Sequence, residues 1–168
     1  MAKLRMAGIV KESIVDGKGI RFVVFVQGCP HHCAGCHNPQ THSFQDGYDM
    51  DTDEILEQVK ADKLLSGITF SGGEPFCQPA ALVELARRVR ELGLNVTTYS
   101  GYTFEQLLEM SGQNPAIGDL LQECDVLIDG PFIMERKNPL LRFRGSDNQR
   151  ILDAKASWKA KKAVELNW

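Results

Sequence analysis

The sequence RFVVFVQGCPHHCAGC, residues 21–36, joins a strand signal directly to a cluster of cysteines. Residues 21–26 are rich in β-branched and aromatic side chains, which predicts a buried strand. Three cysteines follow in the loop that leaves this strand, at Cys29, Cys33 and Cys36. Three thiolates are one short of the four that fill a closed iron–sulfur site. The spacing therefore predicts a metal centre in which one iron can accept a further ligand.

Length and composition favour a single globular domain over residues 1–168. Of the 168 residues 43% are hydrophobic, which is enough for one core. The formal net charge of −3 argues against direct nucleic-acid binding. No apolar run approaches the roughly 20 residues that span a bilayer, and residues 1–6 lack the apolar core of a secretory signal. We expect a cytoplasmic protein that binds neither membranes nor nucleic acid.

The five cysteines are better explained by metal binding than by disulfides. Reducing conditions in the cytoplasm disfavour structural disulfides, and an odd number of thiols cannot all pair. Cys77 and Cys124 lie outside the cluster. Cys124 precedes an apolar stretch and is predicted to be a small buried hydrophobic residue.

Strand and helix signals alternate along the chain. Beyond residues 21–26, the predicted elements are strands at 67–71, 94–99 and 125–130, and helices at 51–59 and 79–92. Thr103 and Gln106 form a capping box before a further short helix. Repeated strand–helix units imply a mainly parallel sheet with right-handed crossovers. Since a full eight-fold barrel takes about 250 residues, the expected fold is an α/β open partial (βα) barrel.

Binding sites in parallel α/β sheets collect at the carboxyl ends of the strands. Three glycine-containing loops lie there: the cysteine loop, residues 72–75 (GGEP) and residues 100–102 (SGY). The second and third are each explained by a strand-to-helix turn that needs glycine. Together with the cysteines, however, they predict one rim with a metal centre and close approaches of the main chain to a ligand.

The CxxxCxxC spacing after the first of these strands, followed by GGEP after the second, resembles the radical S-adenosylmethionine superfamily. The resemblance implies that three cysteines hold a 4Fe–4S cluster and that S-adenosylmethionine chelates the fourth iron. Reductive cleavage of S-adenosylmethionine then gives a 5′-deoxyadenosyl radical. The cofactors carry the radical chemistry, whereas the protein supplies orientation and excludes water.

Further segments resemble the activating proteins of glycyl radical enzymes. They are DGKGIRF at 16–22, GCHNP at 35–39, DG at 129–130 and RGSDNQR at 144–150. The last segment and Gly35 are similar to the branch that acts on anaerobic (class III) ribonucleoside-triphosphate reductase. The resemblance covers roughly residues 8–150. Lys18 stands where that branch usually has proline, and His42 where it usually has an aromatic residue.

The resemblance assigns roles residue by residue. The implied cluster ligands are Cys29, Cys33 and Cys36; the implied S-adenosylmethionine contacts are Gly35, Cys36, His37, Gly72, Gly73 and Glu74. Glycine is expected there because a Cβ would block the approach of the main chain to the ligand. The implied second substrate is a glycine in the large subunit of the reductase. Separately, the lysines at 155, 159, 161 and 162 offer a docking site for an acidic electron donor such as reduced flavodoxin.

Other interpretations remain open from the residues alone. The three cysteines with His31, His32 or His37 could form a structural Cys3His zinc site, in which case the chain is a binding module and not an enzyme. Within the superfamily, the chain could activate an enzyme of the pyruvate formate-lyase type or act on a small molecule. His31 and His32 are otherwise expected on the loop surface, and residues 151–168 as a basic, solvated and fraying tail.

Overall fold

The computed structural model describes residues 2–168, which form a seven-stranded sheet with helices packed against it. The strands are β1 Lys3–Ser13, β2 Arg21–Val26, β3 Tyr48–Asp51, β4 Gly67–Gly72, β5 Asn95–Tyr99, β6 Val126–Asp129 and β7 Arg150–Asp153. The helices are α1 Thr52–Ala61, α2 Pro79–Glu91, α3 Phe104–Met110, α4 Pro115–Glu123 and α5 Ala154–Ala160. No helix among the described residues is long and apolar enough to cross a bilayer.

The order of strands in the sheet is β3-β1-β2-β4-β5-β6-β7. The four central strands, β2, β4, β5 and β6, run parallel, whereas β1, β3 and β7 add antiparallel edges. The two outermost strands, β3 and β7, do not pair with each other, so the sheet over residues 2–168 stays open. The predicted open α/β architecture is confirmed, and its parallel part is limited to the centre.

One face of the sheet carries the main hydrophobic core. Successive side chains of a strand point to opposite faces, so every second residue of a central strand packs under the helices. Phe22, Ile68, Phe70 and Leu127 on this face are buried against α1, α2 and α4.

The predicted capping box at the start of α3 is confirmed. Thr103 and Gln106 make both of the hydrogen bonds that define it.

The opposite, inner face is polar around Arg21, which is fully buried. Its guanidinium donates to Thr69 Oγ1 at 2.7 Å, to Ile68 O at 2.8 Å and to Lys18 O at 2.9 Å. Desolvation by burial lowers the pKa of Arg21 to about 10. These bonds hold the 14–20 loop against the sheet. Since Lys18 takes part through its main-chain carbonyl, the loop conformation at this bond does not require a particular side chain there.

The prediction that residues 151–168 form a fraying, solvated tail is wrong. β7 pairs with β6, and Leu152 and Ala154 are fully buried. Leu166 and Trp168 pack on a small inner-face cluster of Val126, Ile128 and Ile151. The lysines of this segment are solvated, but its apolar residues complete both faces of the sheet.

Candidate metal centre

The carboxyl ends of the parallel strands surround a cavity of about 160 Å³. Residues from all the predicted loops line it, including Cys29, Cys33, Cys36, His37, Gly72, Gly73 and Gly101. Gly35 and Glu74, which were also predicted to contact a cofactor, lie beside the cavity and not in its wall. The topology therefore brings residues as far apart as Cys29 and Gln149 to one rim, as expected for a parallel sheet.

The cysteines differ in exposure. Cys29 is 8% exposed, whereas Cys33 and Cys36 are half-buried, and all three thiols are free. Burial raises the pKa of the Cys29 thiol. The amide of Asn38 donates to Cys36 Sγ at 3.4 Å. Because metal ligation requires thiolates, filling this site releases protons.

A single zinc ion and an iron–sulfur cluster place different geometric demands on their ligands. A zinc ion needs its ligands within about 2.0–2.3 Å of one point. Within residues 2–168, no three His, Cys, Asp or Glu side chains converge in that way. A cluster spreads its cysteine ligands over separate irons, so such convergence is not required.

The three histidines considered as zinc ligands each contact a side chain other than the thiols. His31 Nε2 lies 2.7 Å from Glu74 Oε1. The His32 ring meets the His42 ring at 5.0 Å, and the His37 ring meets the Phe132 ring at 5.3 Å. Three thiols thus share one cavity while Nε2 of His31 is bonded to Glu74, a donor set that fits a three-cysteine cluster site.

Gly72 and Gly73 allow the loop after β4 to pack closely against the cysteine loop. The Gly73 amide donates to Val26 O at 2.9 Å, and the Glu74 amide donates to Gly28 O at 2.8 Å. A Cβ on Gly73 would lie 2.3 Å from Gly28 O, which is backbone and cannot move aside alone. Gly72 has a φ of +104°, which favours glycine. The two glycines thus form a cradle, a concave main-chain surface beside the thiols.

Glu74 is fully buried, and its carboxylate is saturated by protein donors. The Ser100 hydroxyl donates one bifurcated bond to the two oxygens, 2.9 and 3.0 Å away, and the Gly101 amide donates at 2.8 Å. The Phe76 amide adds a bond of 3.0 Å, and His31 completes the set. Sequence reasoning missed this network. The signal available was Gly-Gly-Glu next to Ser-Gly at the ends of neighbouring strands.

Gly35 precedes the third cysteine and has a φ of +74°. A Cβ there would lie 2.3 Å from Met134 Cε, and Phe132 closes the same space from 3.3 Å. Residues 132–134 therefore occupy the volume that a side chain at position 35 would need.

A second, wider cleft of about 580 Å³ adjoins the cysteine cavity. The two share His37, Ser71, Tyr99 and Gly145. Its other walls come from the 14–16 turn and from residues 139–144. Exposed apolar side chains flank it at Ile14, Val15 and Leu140. The cavity thus opens sideways onto a surface large enough for part of a macromolecule.

The RGSDNQR segment folds onto Asp129 and Gly130, so two motifs that are separate in the sequence meet in space. Gln149 Oε1 accepts from the amides of Gly145 and Ser146, while Gln149 Nε2 donates to Gly130 O at 3.1 Å. Arg150 pairs with the buried Asp129 through two nitrogens. This hydrogen bonding raises the pKa of Arg150.

Arg142 and Arg144 line the wide cleft. Arg142 stacks over the Phe143 ring at 4.9 Å, and Tyr99 Oη donates to Phe143 O at 2.6 Å. Arg144 Nε is buried without a hydrogen-bond partner among residues 2–168. The cleft therefore presents cationic groups beside its apolar flank.

Comparison with known proteins matches the family model described as a 4Fe-4S single cluster domain over residues 15–152. The anaerobic ribonucleoside-triphosphate reductase-activating protein of Vibrio cholerae is 37% identical over 148 residues, covering 82% of this chain and 90% of that protein. The pyruvate formate-lyase-activating enzyme of Clostridium pasteurianum is 36% identical over 114 residues, covering 62% of this chain and 48% of that protein. The crystal structure of QueE from Escherichia coli aligns over 60% of this chain and 54% of that chain, with 15% identity and a TM-score of 0.48.

Proposed function

Because the chain belongs to the 4Fe–4S single cluster domain family and to the family of anaerobic ribonucleoside-triphosphate reductase-activating proteins, we propose that it installs the glycyl radical of such a reductase. It is an activating enzyme of the radical S-adenosylmethionine type. Its cofactors are one 4Fe–4S cluster and S-adenosylmethionine. One observation carries the proposal: three thiols and a glycine cradle share a cavity that opens onto a wide cleft.

Each part of the rim has a role in the proposal. Cys29, Cys33 and Cys36 hold the cluster, and the main chain at 35–37 lies along S-adenosylmethionine. The cradle at Gly72 and Gly73 receives the amino acid end of that cofactor. Glu74 contributes by fixing the loop, since four protein donors already saturate its carboxylate. When bound, the reduced cluster and S-adenosylmethionine supply one electron and the adenosyl fragment that removes a hydrogen atom from glycine Cα.

The shape of the wide cleft supports a protein substrate. A small molecule is usually enclosed over most of its surface, whereas this cleft is open on one side and flanked by exposed apolar residues. A loop of the large reductase subunit can enter such a cleft with its flanking side chains outside. Reaction with a small molecule is therefore the weaker proposal.

Activation of a pyruvate formate-lyase type enzyme is the second candidate. The Clostridium relative supports it, although this chain spans about half of that protein. Against it, Met134 and Phe132 fill the space beside Gly35. Activases of the lyase type usually carry an aromatic residue at that position, whereas this chain has glycine there with Met134 and Phe132 beside it.

Reduced flavodoxin is the proposed electron donor, and the reducing cytoplasm is the proposed location. The lysines of residues 155–162 are a poor docking site for the donor. Asp153 pairs with Val126, at the end of β6 opposite the cysteine rim, and α5 begins there. Reversing the charge of Lys155 and Lys159 should therefore leave the rate of cluster reduction unchanged.

The test is anaerobic reconstitution with iron and sulfide, followed by quantification of 5′-deoxyadenosine with and without the candidate reductase subunit. We expect product under strong reductant, and a glycine-centred radical in the reductase afterwards. Product formed only in the presence of a small molecule, with no radical on the reductase, would reject the protein-substrate proposal.

A further inference from the structure

His31 lies in the cysteine loop, two residues after Cys29, yet it does not behave as a surface residue. Its side chain is 15% exposed, and Nε2 lies 2.7 Å from an oxygen of Glu74, whose side chain is fully buried. A carboxylate only accepts hydrogen bonds, so Nε2 is the nitrogen that carries the proton and donates. The prediction that His31 lies on the loop surface is therefore wrong.

Glu74 connects the same bond to two further strand ends. It follows β4, it accepts from His31 in the loop after β2, and it accepts from Ser100 and Gly101 after β5. One carboxylate thus joins the cysteine loop, the glycine cradle and the third loop of the rim. His31 is its side-chain link to the loop that carries the thiols.

Packing fixes the His31 ring on two sides. A Cβ on Gly101 would lie 2.4 Å from His31 Cδ2, so the absence of a side chain at position 101 lets the ring approach the third loop. The Tyr102 ring meets His31 edge-on, with the ring centroids 4.4 Å apart. A ring held by a hydrogen bond and two neighbours has one orientation.

We propose that His31 is a positioning residue, which sets the distance between the cluster loop and the cradle at Gly72 and Gly73 so that S-adenosylmethionine can bridge them. This inference rests on the proposed function of the site. The cofactor has to reach a cysteine-held iron and the cradle at the same time, and a displacement of about 1 Å in such a geometry can cost a hundredfold. His31 also lines the cavity, and its ring is linked to the cradle loop through Glu74.

His32 provides the matched comparison in the same loop. Its side chain is exposed, its φ is +50°, and its ring meets the His42 ring edge-on at 5.0 Å. His32→Asn tolerates the positive φ and leaves the Glu74 bond in place. His31→Ala removes the bond, and His31→Gln restores an N–H donor of similar reach.

The experiment measures binding of S-adenosylmethionine to each reconstituted protein by equilibrium dialysis, together with iron content per chain. We expect His31→Ala to retain its iron but to bind S-adenosylmethionine at least about tenfold more weakly. His31→Gln should return to within about threefold of the parent protein, and His32→Asn should match it. Hydrogen exchange of cluster-free protein should show faster exchange over residues 29–38 in His31→Ala only.

Parent-like binding by His31→Ala would overturn the inference, and so would equal weakening in the Ala and Gln variants. If His31→Ala fails to hold iron, His31→Gln decides the matter: recovery of iron and binding supports the inference, and no recovery overturns it. The proposed function fails separately, if the parent protein binds S-adenosylmethionine and never cleaves it.

Discussion

The two faces of the sheet carry different kinds of residue. Under the helices, alternate residues of the central strands are apolar and fully buried, as at Phe22, Ile68 and Phe70. On the inner face the same strands present Arg21 and Thr69, joined by hydrogen bonds. The helix-covered face accounts for most of the apolar burial. The inner face and the rim above it therefore tolerate polar groups, strained glycines and thiols.

This difference predicts that substitutions at the rim remove function at little cost in stability. Substitutions under the helices should instead lower stability. The largest effect is expected from replacing Cys29, Cys33 or Cys36 singly by Ala. Each variant should lose at least about a hundredfold in 5′-deoxyadenosine formation, because a cluster held by two thiolates is not retained. Cys77→Ala is the control and should remain active. Equal loss in that control would refute the ligand assignment.

The reverse case is Phe70→Ala on the helix-covered face. Removing a fully buried phenyl ring leaves a cavity and should lower the free energy of unfolding by about 3–5 kcal/mol. Denaturant titration of the parent protein and the variant measures this difference in the free energy of unfolding.

Thr97→Val tests a buried polar atom on the inner face. Thr97 Oγ1 is buried without a partner among residues 2–168, so its removal should cost nothing or stabilise by up to about 1 kcal/mol. If both variants lowered the free energy of unfolding by a similar amount, the two faces would not differ as described.

Gly73→Ala tests the cradle and should have an intermediate effect. Its Cβ would force the second loop away from Gly28, so binding of S-adenosylmethionine should weaken by about tenfold. Gly8→Ala is the matched control, since a Cβ there meets nothing within 4 Å and the φ of Gly8 is not in the left-handed region. Unchanged binding in Gly73→Ala would show that this contact does not shape the site.

The smallest effect is expected at the edge of the rim, between Arg150 and Glu105. Hydrogen bonding from Arg150 lowers the pKa of Glu105 below its ordinary 4.5. A lowered folded-state pKa adds stability above pH 4.5, and this contribution disappears as the pH falls through the folded-state value. Since both side chains are substantially exposed, Glu105→Gln should cost under about 1 kcal/mol at pH 7.

The expected cost at position 105 disappears once the pH has fallen below the folded-state pKa, where the parent carboxyl is protonated as well. Denaturant midpoints of the parent and Glu105→Gln, followed from pH 7 into acid, provide the measurement. A cost that persists unchanged in acid would mean that packing, and not charge, is what Glu105 contributes.

The sequence predicts the helix-covered face better than the edges. Strands β2, β4, β5 and β6 have apolar runs that the pattern locates to within two residues. The apolar pattern does not predict β1, β3 and β7, because these strands are defined by pairing with neighbouring strands of the sheet. The four residues of β7, Arg150–Asp153, become a strand only by lying against β6.

Some site residues are likewise predictable from the sequence and others are not. Cys29, Cys33 and Cys36 are recognisable because their spacing is local, and so are the glycines of the second loop. The role of Glu74 is not local, since its donors at 31 and 100 come from other strand ends. Burial of a carboxylate is possible only where such donors converge, and a linear pattern does not record that convergence.

The central claim is that the rim holds a cluster with one iron open to S-adenosylmethionine. Mössbauer spectroscopy of the protein reconstituted with iron-57 tests it most directly, before and after adding S-adenosylmethionine. The claim predicts about four irons per chain and a changed signal from one of them on addition. A single tightly held zinc, or four irons that do not respond, would contradict it.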